Sequence, residues 1–409
     1  MTDSKAESAE QLHIEENSVQ SKIGLGPLVG YFLKLGTIGF GGPAALVGFM
    51  HRDLVEQRRW LTEDTYKLSL ALAQIMPGPL AAQTAIAIGY FEGGVLGATL
   101  VGLAFVIPSF LMVVAISIAY VAYGGLWWMQ ALFYTIGATV IAIIAIAAYK
   151  LARSTNKRNP LLWGIFVVLT VVTAWAQTEL AEFFILAGLI TLVFQAWPGW
   201  KPGILMALSC AALGVAVWLM EAWLGQAGTG SNSGYVLTEI LLFFTKAGAF
   251  VFGSGLAIVP FLYGGVVGQF HWLTERQFLD AVAVAMITPG PIVITSGFIG
   301  YLVAGPLGAC VAVLAVFLPP YLLVIFAAPY YRRFAQNRQV KAFVQGVTAA
   351  AVGAIAGAAI ILSKRALVDL TTVLIAVIAL AVLLGFKKIP EPLLILGAGA
   401  AGVLLHHGS

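Results

Sequence analysis

Apolar runs of about twenty residues follow one another along most of this chain, each long enough to span the ~30 Å hydrocarbon core of a bilayer as a helix. Only helices and closed barrels satisfy every backbone N–H and C=O at that depth, and runs this long and continuous select the helix. The 409 residues are 60% hydrophobic and 10% charged, where a soluble domain carries about 25% charged residues. The chain therefore reads as an all-α polytopic membrane protein with thirteen apolar segments. Its net charge of +4 speaks to topology, and no nucleic-acid partner is expected. Residues 1–26 are polar and acidic (Glu7, Glu10, Glu15, Glu16) and read as a disordered cytoplasmic tail without a cleavable signal peptide. Cys210 and Cys310 lie in apolar runs and suggest neither a metal site nor a disulfide.

The chain repeats itself at an offset of 212 residues. "KLGTIGFGGPAAL" from Lys34 matches "KAGAFVFGSGLAI" from Lys246, and "WLTE" from Trp60 recurs from Trp272. Pro77, Gly78 and Pro79 match Pro289, Gly290 and Pro291. After one deleted residue, at an offset of 211, Gly89, Gly97 and Pro108 match Gly300, Gly308 and Pro319. Two homologous halves are expected, a first repeat at 27–200 and a second at 239–409, with a connecting helix and linker at 201–238.

Basic residues orient the halves. Residues 150–158 hold four of them and no acid, so this loop is expected in the cytoplasm, and the uncharged 123–130 outside. The segment matching 123–130 in the second half carries Arg332, Arg333, Arg338 and Lys341, which places it in the cytoplasm. Matched loops on opposite sides imply an inverted-topology repeat. Parity then requires the segments interrupted by "GFGGP", "MPGP", "FGSG" and "TPGP" to enter and return as re-entrant hairpins. About nine segments cross fully, and the N-terminus is cytoplasmic.

Irregular backbone at membrane depth is tolerated where it is buried in protein or lines a watery cavity. Helix N-termini there offer free N–H groups and the positive end of a dipole. Gly41, Gly42, Pro43, Pro77, Gly78 and Pro79, with Gly253, Ser254, Gly255, Pro289, Gly290 and Pro291, are therefore read as a shared cradle for a small anion. Lys34 and Lys246 occupy equivalent places inside apolar runs, and either attract the anion or snorkel to the interface, Lys34 being the expected larger contributor. Gln74, Gln83 and Thr288 add uncharged donors, as do Thr84, Ser254, Thr295 and Ser296. Almost no acid is read as deeply buried, which argues for an anion and against a metal cation. Thr62 and Thr274 read as helix N-caps, with Gln277 completing a capping box. There is no nucleotide-binding loop and no catalytic cluster, so neither a cofactor nor an enzymatic activity is expected.

The stretches "GFGGPAALVGFMHRDLVEQRRWL", "MPGPLAAQTAIAIGY", "FGSGLAIVPFLYG" and "TPGPIVITSGFIGY" resemble the chromate ion transporter family in its long-chain, two-domain form, over essentially the whole chain after the tail. The resemblance implies a secondary active exporter of chromate in the bacterial inner membrane, conferring chromate resistance. It implies the proton motive force as energy source and the proton as coupling ion. Chromate is a tetrahedral dianion much like sulfate. Transport of sulfate or another oxyanion, an anion channel and an anion receptor stay open, as does a homo-oligomer. The second half departs from the first at Ser254 and Gly255, where the first has Gly42 and Pro43, so the halves need not bind equally.

Overall fold

The computed structural model describes residues 23–124, 126–176, 181–196, 233–251, 255–331, 337–385 and 390–406. The expected tail up to residue 22, most of the connecting segment (201–232), Cys210, Gly253, Ser254, Arg332 and Arg333 lie outside them. The regular elements of the described residues are helices: α1 (Leu25–Ile38), α2 (Gly42–His51), α3 (Glu63–Ile75), α4 (Leu80–Tyr123), α5 (Trp127–Asn156), α6 (Pro160–Ala176) and α7 (Ala181–Ala196) in the first part. Then come α8 (Ser233–Phe250), α9 (Ile258–Tyr263), α10 (Glu275–Ile287), α11 (Thr295–Ala327), α12 (Arg338–Ala366), α13 (Leu370–Gly385) and α14 (Glu391–His406). Among the described residues, four stretches are long and apolar enough to cross a membrane: Leu80–Tyr123, Trp127–Asn156, Ile292–Tyr330 and Arg338–Ala366. The chain is an all-α membrane protein.

Proline and glycine end the helices where the sequence places them. A residue before proline is pushed out of the helical region. Met76, before Pro77, has φ −84° and ψ 144°, and Thr288, before Pro289, has φ −85° and ψ 140°. Thr62 accepts the Thr65 amide at 3.0 Å, and Thr274 with Gln277 forms a full capping box. Both caps are the ones read from "WLTE".

Two of the long helices are folded back on themselves. In α4 the chain turns at Gly93 and Gly94, and Gly94 takes φ 61° and ψ −150°, a region open only to glycine. The limbs lie so close that a Cβ on Gly89 would stand 2.5 Å from the carbonyl oxygen of Gly97. α11 turns in the same way at Ala304 and Gly305 (φ 64°, ψ −156°), with Gly300 against Gly308. Beyond α2 the chain comes back to α1: Tyr31 donates to Asp53 at 3.4 Å, and the Arg58 guanidinium lies 5.5 Å from the Tyr31 ring. At the offset positions, Phe243 of α8 meets Phe261 at 5.4 Å and Phe270 at 5.6 Å. π-helical turns recur at Arg52–Gln57 and Gly264–Gln269, and positive φ at Arg59 and His271.

α5 and α12 form the scaffold. α12 packs along α6 and α7, and α5 packs along α12, α13 and α14. α1 and α8 lie on α4 and α11, which also pack on each other and carry the tips of the broken segments to the centre.

Candidate functional site

The breaks meet in two crossed pairs. The Gly290 amide donates to the Gly39 carbonyl at 3.0 Å, and the Gly78 amide donates to the Val251 carbonyl. Gly78 and Gly290 correspond across the two halves, as do Gly39 and Val251. Each Pro-Gly-Pro turn therefore completes the interrupted hydrogen bonding of the other half's glycine break. Two amides read as anion donors are thus consumed by carbonyls. The α-carbon of each glycine also faces protein, not open space. A Cβ on Gly78 would stand 2.5 to 2.7 Å from Gln83 and Pro320, and one on Gly290 would collide with the Ser109 hydroxyl. Ser109 and Pro320 are themselves counterparts, at an offset of 211.

The remaining predicted residues divide. Pro79, Gln83, Thr288, Pro289, Pro291 and Gly255 are buried around the crossed pairs, and Pro77 is half-buried beside them. Gln83 Nε2 donates to the Pro77 carbonyl at 2.6 Å, while its Oε1 is buried with no hydrogen-bond partner. The Ser296 hydroxyl is buried and unpartnered as well. Thr288 spends its hydroxyl on the Val284 carbonyl, at 3.0 Å, and the Ala285 carbonyl. α2, α4 and the 3-10 turn Ile292–Ile294 begin at the junction without side-chain caps, behind Gly41, Pro79 and Pro291. The first amides of a helix have no partner within it. Gly41 and Gly42, both at positive φ, and Pro43 start α2 on a partly exposed surface.

The lysines are not equivalent. Lys34 is exposed on α1, whose opposite side packs Gly36 against the Phe105 carbonyl. Lys246 is half-buried with Nζ 5.8 Å from the Phe261 ring centre.

A cavity of about 820 Å³ opens between α3 and α12. Lys67, Gln74, Tyr331, Lys341 and Gln345 line it. Gln74 was read as a site residue; the others were not. Lys67 pairs with Glu63 at 3.2 Å.

The matching place in the other half is shut. α5 packs along α10 there. Arg276 donates to the Gln130 carbonyl at 3.2 Å, and Tyr120 donates to Asp280 at 2.7 Å. Tyr120 sits edge-on to Phe133 and Phe298, at 5.3 and 5.2 Å. Asp280 is only 4% exposed. Among the described residues it is the one exception within the expectation of almost no deeply buried acid. Its signal was a lone carboxylate in the apolar run 278–288; the repeat concealed it, because Leu68 holds the matching position.

Fold and site together define a multi-pass helical membrane protein built around broken helices, as transporters of small solutes are. The chain belongs to the chromate transporter family, whose model matches residues 27–218 and 238–403. It is 54% identical over 387 residues to the chromate transport protein of Cupriavidus metallidurans, covering 93% of this chain and 94% of that one. It is 55% identical over 379 residues to the probable chromate transport protein of Synechococcus elongatus, covering 92% and 94%. A chromate transport protein of Pseudomonas aeruginosa is 32% identical over 386 residues, covering 91% of each chain. No solved structure matches the chain.

Proposed function

We propose that this protein is a secondary active transporter that exports chromate from the cytoplasm, with a proton as counter-ion. The observation that carries the reading is the pair of crossed contacts, Gly78 to Val251 and Gly290 to Gly39, which join each half's Pro-Gly-Pro turn to the other half's glycine break. The helix starts at Leu80 and Ile292, with the Ser296 hydroxyl and Lys246, supply the donors and charge for a tetrahedral dianion.

The repeated hairpins support an inverted-topology repeat of two homologous halves with re-entrant segments. In that arrangement Thr62, Lys67, Tyr331 and Lys341 border one cavity on the cytoplasmic face, and Arg276 meets Gln130 outside. The N-terminus is then cytoplasmic. Export is also the direction the membrane potential favours. Moving one charge through 100 mV is worth about 2.3 kcal/mol, so an inside-negative potential drives a dianion outward by about three decades of concentration. A proton moving inward would add a third charge and a response to the pH gradient.

Sulfate or another oxyanion remains the competing cargo, since a cradle of amides and hydroxyls reads a tetrahedral dianion without naming its central atom. A channel would be the competing mechanism. The test is chromate uptake into everted vesicles under an imposed pH gradient, with sulfate as competitor. Concentrative, protonophore-sensitive chromate uptake supports the reading. Uptake that only equilibrates makes the protein a channel, and equal sulfate uptake makes it a general oxyanion carrier.

A further inference from the structure

We propose that Asp280 is the proton-binding group of the transport cycle and that its hydrogen bond with Tyr120 is the latch holding the second face shut. The inference rests on the transporter reading for its place in a cycle, and on the geometry of two matched places for the latch itself. The cavity side chains Asp64, Leu68, Gln74, Tyr331 and Lys341 have as counterparts Arg276, Asp280, Met286, Tyr120 and Gln130. On one face these positions surround about 820 Å³ of open space. On the other they are closed by two polar contacts between the halves, Tyr120 to Asp280 and Arg276 to the Gln130 carbonyl. One fold thus holds the same place in an open and a closed arrangement. Exchange of the two arrangements between the halves would move access from one face to the other.

The closed contact is built from a group that titrates. A carboxylate this deeply buried is costly and is a candidate functional group. Asp280 faces the Tyr120 phenol from α4, with Arg276 one turn away on its own helix. The other charged groups near α10 are occupied elsewhere: Glu275 with Tyr263 and Arg365, at 3.2 and 3.3 Å, and Asp369 with Tyr134. Glu391 of α14 lies beside Lys150, and α11 carries no charged side chain. A proton arriving at this face binds an oxygen of Asp280, while Tyr120 keeps its own. The bond then passes from charge-assisted to neutral and loses about half its strength. Burying a neutral acid nevertheless costs far less than burying a carboxylate, so proton binding favours the closed arrangement and by linkage closure favours proton binding. A proton taken up at this face is carried inward on Asp280 when the face closes again.

The test uses the full chain with Cys210 and Cys310 replaced by serine. Gln74→Cys and Met286→Cys are placed at matched positions, and an impermeant maleimide is applied to right-side-out and everted vesicles. Gln74→Cys is expected to label from one face, and Met286→Cys from neither. Adding Tyr120→Phe, which leaves the carboxylate without its donor, is expected to raise Met286→Cys labelling from the opposite face roughly tenfold, and Asp280→Asn, which mimics the neutral acid at constant pH, to leave it closed. Chromate flux that rises as the outer face is acidified is expected to lose that dependence in Asp280→Asn. Parent Met286→Cys labelling as fast as Gln74→Cys would overturn the closed face. Unchanged labelling in Tyr120→Phe would overturn the latch, and an intact pH response in Asp280→Asn would overturn the proton site. The labelling arms require no chromate. A parent that moves no chromate but opens in Tyr120→Phe would fail as an exporter and still possess the latch.

Discussion

Gly290 gives its backbone amide to the carbonyl of Gly39, and Gly78, its counterpart, gives its own to Val251. Neither half closes its own break. The junction is therefore a property of both halves together, and damage to one turn removes a hydrogen bond from the other half.

Gly290→Ala is expected to lower stability through contact with Ser109 and through the left-handed φ of 97°. Together these should cost about 2–4 kcal/mol. Ser109→Gly in the same chain removes the collision and not the backbone strain. Thermal unfolding in detergent should show partial recovery in the double variant. Additive losses would mean that Ser109 is not what the new methyl meets.

The reversals at Gly94 and Gly305 provide the opposite case, since a Cβ at either position meets nothing within 4 Å. Gly94→Ala and Gly305→Ala should nevertheless destabilise by about 1–3 kcal/mol each, from backbone conformation alone. Unfolding temperatures equal to the parent's would mean that the limbs of α4 and α11 do not fold back at these residues.

Much of this arrangement was legible because proline and glycine act locally. Pro77 and Pro289 end α3 and α10 whatever surrounds them, and Thr274 with Gln277 forms its capping box from residues three apart. The repeat located the breaks in matched pairs. It gave no sign that each turn would bond to the other half, because nothing in one segment encodes its distant partner. Asp280 stayed hidden for the same reason. Six residues beyond a capping Thr it reads as the polar start of a helix, and only Tyr120, 160 residues away, makes it a buried and paired acid.

Lys341 should matter through long-range attraction. It is exposed at the cavity, whereas Lys67 is held by Glu63, with Asp64 beside it. Lys341→Gln should raise the half-saturating chromate concentration roughly 2- to 5-fold at low salt, and Lys67→Gln by less. Raising ionic strength from about 0.01 M to about 0.15 M shortens the screening length from roughly 30 to 8 Å and should erase most of the difference. A Lys341 effect that persists in high salt would place its ammonium in direct contact with the anion.

The two repeat-related lysines make the last and sharpest comparison. The sequence favoured Lys34, beside Gly42 and Pro43. Their burial argues for the reverse order. Lys34 is exposed, with Gly36 on the packed side of the same helix, while Lys246 is half-buried with Nζ 5.8 Å from the Phe261 ring. A partly desolvated ammonium acts on an anion through a lower effective dielectric than an exposed one, so its charge reaches further. Lys246→Gln should raise half-saturation by roughly 5- to 50-fold, about 1–2.3 kcal/mol, and Lys34→Gln by less than about 2-fold. Lys246→Arg keeps charge and ring contact but not the compact ammonium, so it should recover part of the loss. The measurement is a chromate concentration series in vesicles, with flux divided by the amount of protein in the membrane. A larger loss at Lys34 would mean that the exposed side of α1 faces the permeation path. Equal half-saturation in both variants would leave the anion to the amides at the helix starts and the Ser296 hydroxyl.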